Sequence, residues 1–155
     1  MTQSSAVEIR RARPEDLEPV TELEQRCFSR PWSYQSFAFE LGSRDAWFSV
    51  AEDGGRIVGF AILHRFIDEA ELFSIAVDEE YRRRGVGDML LTDVIGGARL
   101  HGMVKVFLEV RQSNSAARSM YLKHGFEVYG LRRNYYDDPK EDAMLMELRL
   151  QDAGL

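Results

Sequence analysis

The sequence predicts a single α/β (α+β) domain over residues 1–155, with about seven strands and about four helices. Three observations predict it. The chain has 155 residues, 45% of them hydrophobic and 30% charged, which suffices for one good core, and no second domain is needed. Short β-branched runs and segments with helical spacing follow one another as strand, two helices, three strands, helix, strand, helix and two strands. Between them lie turn residues, with no repeat, linker or low-complexity tract.

Val7 to Arg11 opens the chain as a strand, and Ala12 to Asp16 leads into a helix whose first turn tolerates Pro14. Leu17, Val20, Leu23 and Cys27 recur at helical spacing, until Ser29 to Ser33 breaks the helix. A shorter helix over Tyr34 to Leu41 ends at Gly42. Trp47 to Ala51 and Ile57 to Leu63 flank Glu52-Asp53-Gly54-Gly55, a hairpin signal. The third strand of this group runs from Leu72 to Val77. Val104 to Val110 is apolar enough for a buried strand, and Asn114 to His124 reads as a helix capped by Ser113 or Asn114 and stopped by Gly125. Phe126 to Leu131 and Ala143 to Leu150 close the chain as two strands around a loop with Asp137, Asp138 and Pro139.

The chain is organised around Leu72 to Leu91, LFSIAVDEEYRRRGVGDMLL: strand, turn, glycine loop, helix. Leu90, Val94 and Ala98, with Leu91 and Ile95 beside them, give the helix one apolar stripe to lay on a sheet. Its amino end lies at Gly85 to Asp88. Unpaired N–H groups and the positive end of the helix dipole attract anions there, and glycines allow close approach to the main chain. Arg82, Arg83 and Arg84 add positive charge, so the loop reads as a pyrophosphate cradle. It is not a Walker loop, because Gly87 is followed by Asp88 and Met89 rather than Lys-Ser/Thr. Nor is it a dinucleotide fingerprint, since Leu90 stands where a third glycine is required.

What remains, Arg-x-x-Gly-x-Gly at Arg82, Gly85 and Gly87, resembles the acetyl-CoA loop of the GCN5-related N-acetyltransferases. The element order resembles that fold from end to end, and the resemblance implies a mixed, mostly antiparallel central sheet. RPWS at 30–33, DEAELFSIAV at 68–77, RRRGVG at 82–87, LEVRQSNSAARSMYLKHGF at 108–126, RRNYY at 132–136 and EDAMLM at 141–146 narrow it to the RimI-type branch. Members of that branch acetylate the N-terminus of a ribosomal protein. The implied cosubstrate is acetyl-CoA, and the implied acceptor is a protein N-terminus, first that of small-subunit ribosomal protein eighteen.

The resemblance also implies roles residue by residue. Main-chain groups of Ile75, Ala76 and Val77 offer the pantetheine arm a strand edge. Arg82, Arg83, Arg84, Gly85, Val86, Gly87 and Asp88 form the pyrophosphate loop, and Asn114 adds a contact to the pantetheine region beside its role as a helix cap. Glu109 becomes the general base and Tyr121 the general acid. Phe28 and Trp32, with Tyr135 and Tyr136, hold the acceptor's first residues.

Elementary chemistry supports part of this assignment. A protonated amine has no lone pair with which to attack. With reference pKa values near ~7.8 for an α-amine and ~10.4 for lysine, deprotonating lysine at neutral pH costs about 3.5 kcal/mol more, so a carboxylate acting through water is enough for an N-terminus. Glu109 interrupts the apolar run VFLEV, where a carboxylate is costly unless it lines a wet cleft. Its bland alternative is a surface residue paired with Arg111, which shares its strand face together with Phe107. Tyr121, followed by Leu122, reads by itself as a core aromatic. Tyr135 and Tyr136 read equally well as packing residues. Asp68, Glu69 and Glu71 are placed to attract a basic peptide or are merely solvated.

Composition excludes other classes. A net charge of −6 argues against general nucleic-acid binding. One cysteine, Cys27, gives no internal disulfide framework, and the polar start MTQSSAVEIRR lacks a signal-peptide core. No apolar run approaches the ~18 residues of a membrane span, so a cytoplasmic protein is expected. His64, His101 and His124 have no metal-site spacing, and no metal is expected. Gly96 and Gly97 weaken the central helix by about 1 kcal/mol each with no evident reason. Two alternatives stay open: an acetyltransferase for lysine or small amines, and a non-catalytic CoA-binding module.

Overall fold

The computed structural model describes residues 7–150; residues 1–6, part of the polar start considered for a signal peptide, lie outside them. The strands are β1 (Val7–Arg11), β2 (Ala46–Asp53), β3 (Arg56–Phe66), β4 (Glu69–Val77), β5 (Lys105–Arg111), β6 (Glu127–Tyr136) and β7 (Glu141–Arg149). The helices are α1 (Leu17–Cys27), α2 (Tyr34–Gly42), α3 (Val86–Leu100) and α4 (Ser115–Lys123). The expected element order is therefore found. One sheet runs β1-β2-β3-β4-β5-β7-β6, and every neighbouring pair is antiparallel except β4 and β5.

The hairpin between β2 and β3 turns at Gly54 and Gly55, whose φ values of +57° and +93° only glycine adopts cheaply. β3 is buried on both faces, because helices cover both. Phe60 and Ile62 join Leu17, Val20, Leu23 and Phe37 beneath α1 and α2. Ala61 and Leu63, pointing the other way, join Leu90, Leu91, Val94 and Ala98 of α3. Burying side chains such as Phe37 and Phe60 completely contributes roughly 1.5–3 kcal/mol each.

β2, β3, β4 and β6 are longer than the apolar pattern suggests. β4 begins at Glu69, not Leu72, because the alternation Glu69, Ala70, Glu71, Leu72 puts only every second residue in the core. β6 continues to Tyr136 although nearly all its residues are exposed, since hydrogen bonding to β7 holds it without burial. Gly97 also acquires a reason. The indole of Trp47 lies flat against it, inside the space a Cβ would need, and is fixed by Nε1 donating to Asp93 at 2.9 Å. Nothing crowds Gly96, and its presence in the helix has no structural explanation.

Candidate active site

β4 delivers the chain into a tight turn, Glu79–Tyr81, capped by Asp78, whose Oδ1 accepts from the Glu80 amide at 3.0 Å. Asp78 is buried and takes Arg26 and Arg56 at 3.0 and 3.2 Å, so the turn is rigid. Burial pulls its pKa upward, but the Glu80 amide and the two arginines prevail and hold the carboxyl below its usual range. Gly85 then adopts φ +81° as the N-cap of α3 and contributes no capping side chain. The first helical bond at this end is Met89 N–H to Gly85 C=O, at 3.0 Å. Among the described residues, the amides of Val86, Gly87 and Asp88 have no acceptor. A Cβ on Gly85 would project into open space, whereas one on Gly87 would meet Met120 Sδ of α4 at 3.0 Å. Gly85 leaves the mouth of the cradle clear, and Gly87 lets α4 close against it.

The three arginines do different things. Arg82 donates to Val77 C=O at 3.2 Å and approaches Cys27 Sγ at 3.6 Å. Arg84 lies over the Tyr81 ring, 4.8 Å from its centroid. Arg83, with φ +65°, makes no side-chain hydrogen bond or ion pair among the described residues.

From the cradle a seam opens between β4 and β5. Their parallel pairing covers only Glu69↔Lys105, Ala70↔Val106 and Glu71↔Phe107. Beyond Glu71, β4 bulges at Phe73, where the register with β3 shifts, and Ser74 to Val77 pair with β3 alone. One edge of Ile75, Ala76 and Val77 is thus left without a strand partner, and it leads to the free amides of α3. An extended chain ending in a diphosphate fits this shape, so the residues present suit a CoA arm.

On the far side of the seam stands Glu109, half-buried on β5. It does not pair with Arg111, which instead binds Glu141 at 3.2 Å and the carbonyls of Pro139 and Asp137 at 2.9 Å each. The cation on Glu109 is Arg132 of β6, at 3.3 Å. Arg132 also covers the Tyr135 ring, and Arg111 covers that of Tyr136, with centroid distances of 5.0 and 4.5 Å. The β6–β7 register breaks after Arg132, where Arg133, Asn134 and Tyr135 stand opposite Asp142 alone and Asn134 takes φ +53°, so β6 is bulged just beyond the arginine that meets Glu109. Burial and the Glu109 charge together push Tyr136 up to about 12 and raise Tyr135 as well.

Tyr121 of α4 is almost wholly buried, and its ring joins the core against Phe126 at 5.6 Å. Burial raises its pKa strongly, with a smaller contribution from Tyr136, so that it stays protonated. Asn114 is the N-cap of α4, accepting from Ala117 N–H at 3.1 Å.

Trp32 packs on Phe37 and Phe73 at 5.3 and 5.8 Å, so it anchors the loop between α1 and α2, while Phe28 is exposed. The loop is also tied by Glu24, a buried carboxylate that accepts from Trp32 N–H at 2.9 Å and Ser74 Oγ at 3.4 Å. Burial pushes its pKa up. The three acidic residues of β4 and its approach separate. Glu69 is met by Lys105 at 3.6 Å, and Asp68 gives its carbonyl to Val104 N–H. Glu71 has no ion pair among the described residues, and burial together with Glu109 raises its pKa.

Arg132, Glu24 and Glu71 acquire their positions only in the folded chain. No periodicity marks Arg132 or Glu24; Asn134, a residue tolerant of positive φ, is the local sign that β6 is irregular. The arrangement can seat an extended phosphorylated chain along β4 with its far end beside the half-buried carboxylate of Glu109. No helix among the described residues is long and apolar enough to cross a membrane.

Known proteins resemble this chain in sequence and in fold. The family model described as "Acetyltransferase (GNAT) family" matches residues 17–126. The [ribosomal protein bS18]-alanine N-acetyltransferase of Escherichia coli K12 is 42% identical over 135 residues, which cover 86% of this chain and 90% of that protein. A putative enzyme of the same description from Bacillus subtilis 168 is 34% identical over 139 residues, covering 89% and 92%. The crystal structure of the ribosomal-protein-S18-alanine N-acetyltransferase from Escherichia coli superposes with a TM-score of 0.86 at 36% identity, over 96% of this chain and 98% of that one.

Proposed function

This chain belongs to the GNAT family of acetyltransferases, and from that premise we propose that it transfers the acetyl group of acetyl-CoA to the N-terminal amine of a protein. By analogy with relatives sharing 42% identity, the acceptor is the N-terminal alanine of ribosomal protein bS18. The observation that carries the reading is the seam: β4 and β5 part beyond Glu71 and Phe107, with free helix amides at one end and Glu109 at the other.

Bound acetyl-CoA supplies an activated acyl group. The edge of Ile75 to Val77 orients its arm, and the loop Arg82 to Asp88 holds its diphosphate. Glu109, acting through water, takes the proton that the acceptor's α-ammonium must lose before its nitrogen can bond to the acyl carbon. Arg132 keeps Glu109 aimed at the seam. As the carbon–sulfur bond breaks, the Tyr121 hydroxyl gives its proton to the departing thiolate, the nitrogen loses its second proton, which returns to Tyr121 through water, and Glu109 releases the first proton to solvent. Tyr135, Tyr136, Phe28 and Trp32 flank the acceptor. Such contacts add selectivity more than rate.

The experiment compares two peptides with the bS18 N-terminal sequence, one with a free and one with a blocked N-terminus, each with an internal lysine. Mass spectrometry locates the acetyl group after incubation with acetyl-CoA. The proposal expects acetylation of the free α-amine. Equal acetylation of lysine in the blocked peptide would replace it with a lysine-directed enzyme, and CoA binding without turnover on any amine would favour a binding module.

A further inference from the structure

The diphosphate cradle contains an anomaly: the residue after its second glycine is Asp88, which places a carboxylate in the first turn of α3. An anion there suits an isolated helix dipole but opposes a bound diphosphate. Two of the three loop arginines are also engaged elsewhere, Arg82 with Val77 C=O and Arg84 with the Tyr81 ring. The compensating charge comes from another element. Lys123 Nζ, in the last turn of α4, lies 2.9 Å from Asp88 Oδ1, and His124 Nε2 lies 2.8 Å from the same oxygen. Contact between Met120 of α4 and Gly87 seats that end of α4 on the cradle.

Resting on the reading of this loop as the diphosphate site, we infer that Lys123 is a further diphosphate-binding residue. It cancels the charge of Asp88 and sets one ammonium at the mouth of the cradle, while His124 holds the Asp88 carboxylate turned toward α4. The nearby Lys123 and His124 also lower the Asp88 pKa, consistent with a carboxylate that stays ionised to hold them. Lys123 is 65% exposed at its side chain, so a ligand can reach it and substitution leaves the core intact.

The test is a charge series at one position, read by calorimetry of CoA binding rather than by turnover. Lys123→Arg should leave the Kd within about twofold, Lys123→Met should raise it about threefold, and Lys123→Glu about tenfold, following charge and not shape. 3′-Dephospho-CoA, which keeps the diphosphate, should show the same series. Acetyl-pantetheine, which lacks it, should bind all four proteins alike. A flat series with CoA, or equal losses with acetyl-pantetheine, would overturn the inference, the second by showing a merely structural role. Loss of the effect with 3′-dephospho-CoA would overturn it too, by moving Lys123 to the other phosphate. Should the wild-type protein bind CoA no better than acetyl-pantetheine, the cradle reading itself would fall.

Discussion

The two ends of the seam between β4 and β5 are built in opposite ways. At the proposed cofactor end, most of the working groups are main-chain groups of one continuous segment, β4 through the first turn of α3, with Asn114 and Lys123 of the α4 region added to them. At the proposed acceptor end, they are side chains from β4, β5, β6, α4 and the loop after α1, scattered from Phe28 to Tyr136. A diphosphate is recognised by amide geometry, which local sequence dictates. Proton transfer needs particular acids and bases at chosen distances, which only the assembled sheet provides. Damage at the first end should therefore appear as lost CoA affinity, and damage at the second as lost turnover.

Glu109→Gln should have the largest effect, lowering kcat by about 10² to 10⁴ while CoA affinity stays within about twofold, because the amide keeps the shape but cannot take a proton. Steady-state kinetics with an N-terminal peptide measure the first quantity and calorimetry the second. Gly85→Asp should do the reverse, raising the CoA Kd by about tenfold or more, since it forces a side chain into φ +81° and sets a negative charge in the open mouth of the cradle. Tyr121→Phe should lower kcat by about tenfold to a hundredfold without weakening CoA. Because burial raises the Tyr121 pKa, its acid form persists to higher pH than an ordinary phenol, so wild-type kcat should show no alkaline decline from this group near pH ~10. The same shift stabilises the fold below the ordinary tyrosine pKa, and that contribution is lost as pH rises through the folded value. The smallest functional effect belongs to Gly97→Ala, outside both ends. It should displace the Trp47 ring and cost about 1–3 kcal/mol of stability, seen as a lower Tm, with kcat and CoA affinity nearly unchanged.

The sequence made the cofactor end legible for the reason that separates the two ends. Glycines, arginines and an amphipathic helix stand together in Leu72 to Leu91, and local pattern suffices to read them. Glu109 stands out as a carboxylate in an apolar run, and the resemblance gives it, Tyr121, Tyr135 and Tyr136 their roles, but not their arrangement. Nothing in LEVR reveals that Arg111 turns away to Glu141 and that Arg132 takes its place, because that exchange depends on the β5-β7-β6 register. Gly97 is opaque for a similar reason: its partner, Trp47, lies on β2, far earlier in the chain. The acidic start of β4 escaped the apolar pattern because a strand with one wet face needs only alternate apolar residues.

The separation of the two ends is tested most directly by measuring CoA Kd and acceptor kcat together in Gly85→Asp and Glu109→Gln. The account predicts a crossed result: Gly85→Asp loses CoA affinity but retains near-normal kcat at saturating acetyl-CoA, and Glu109→Gln retains affinity but loses turnover. Parallel changes in both quantities in either folded variant would contradict it.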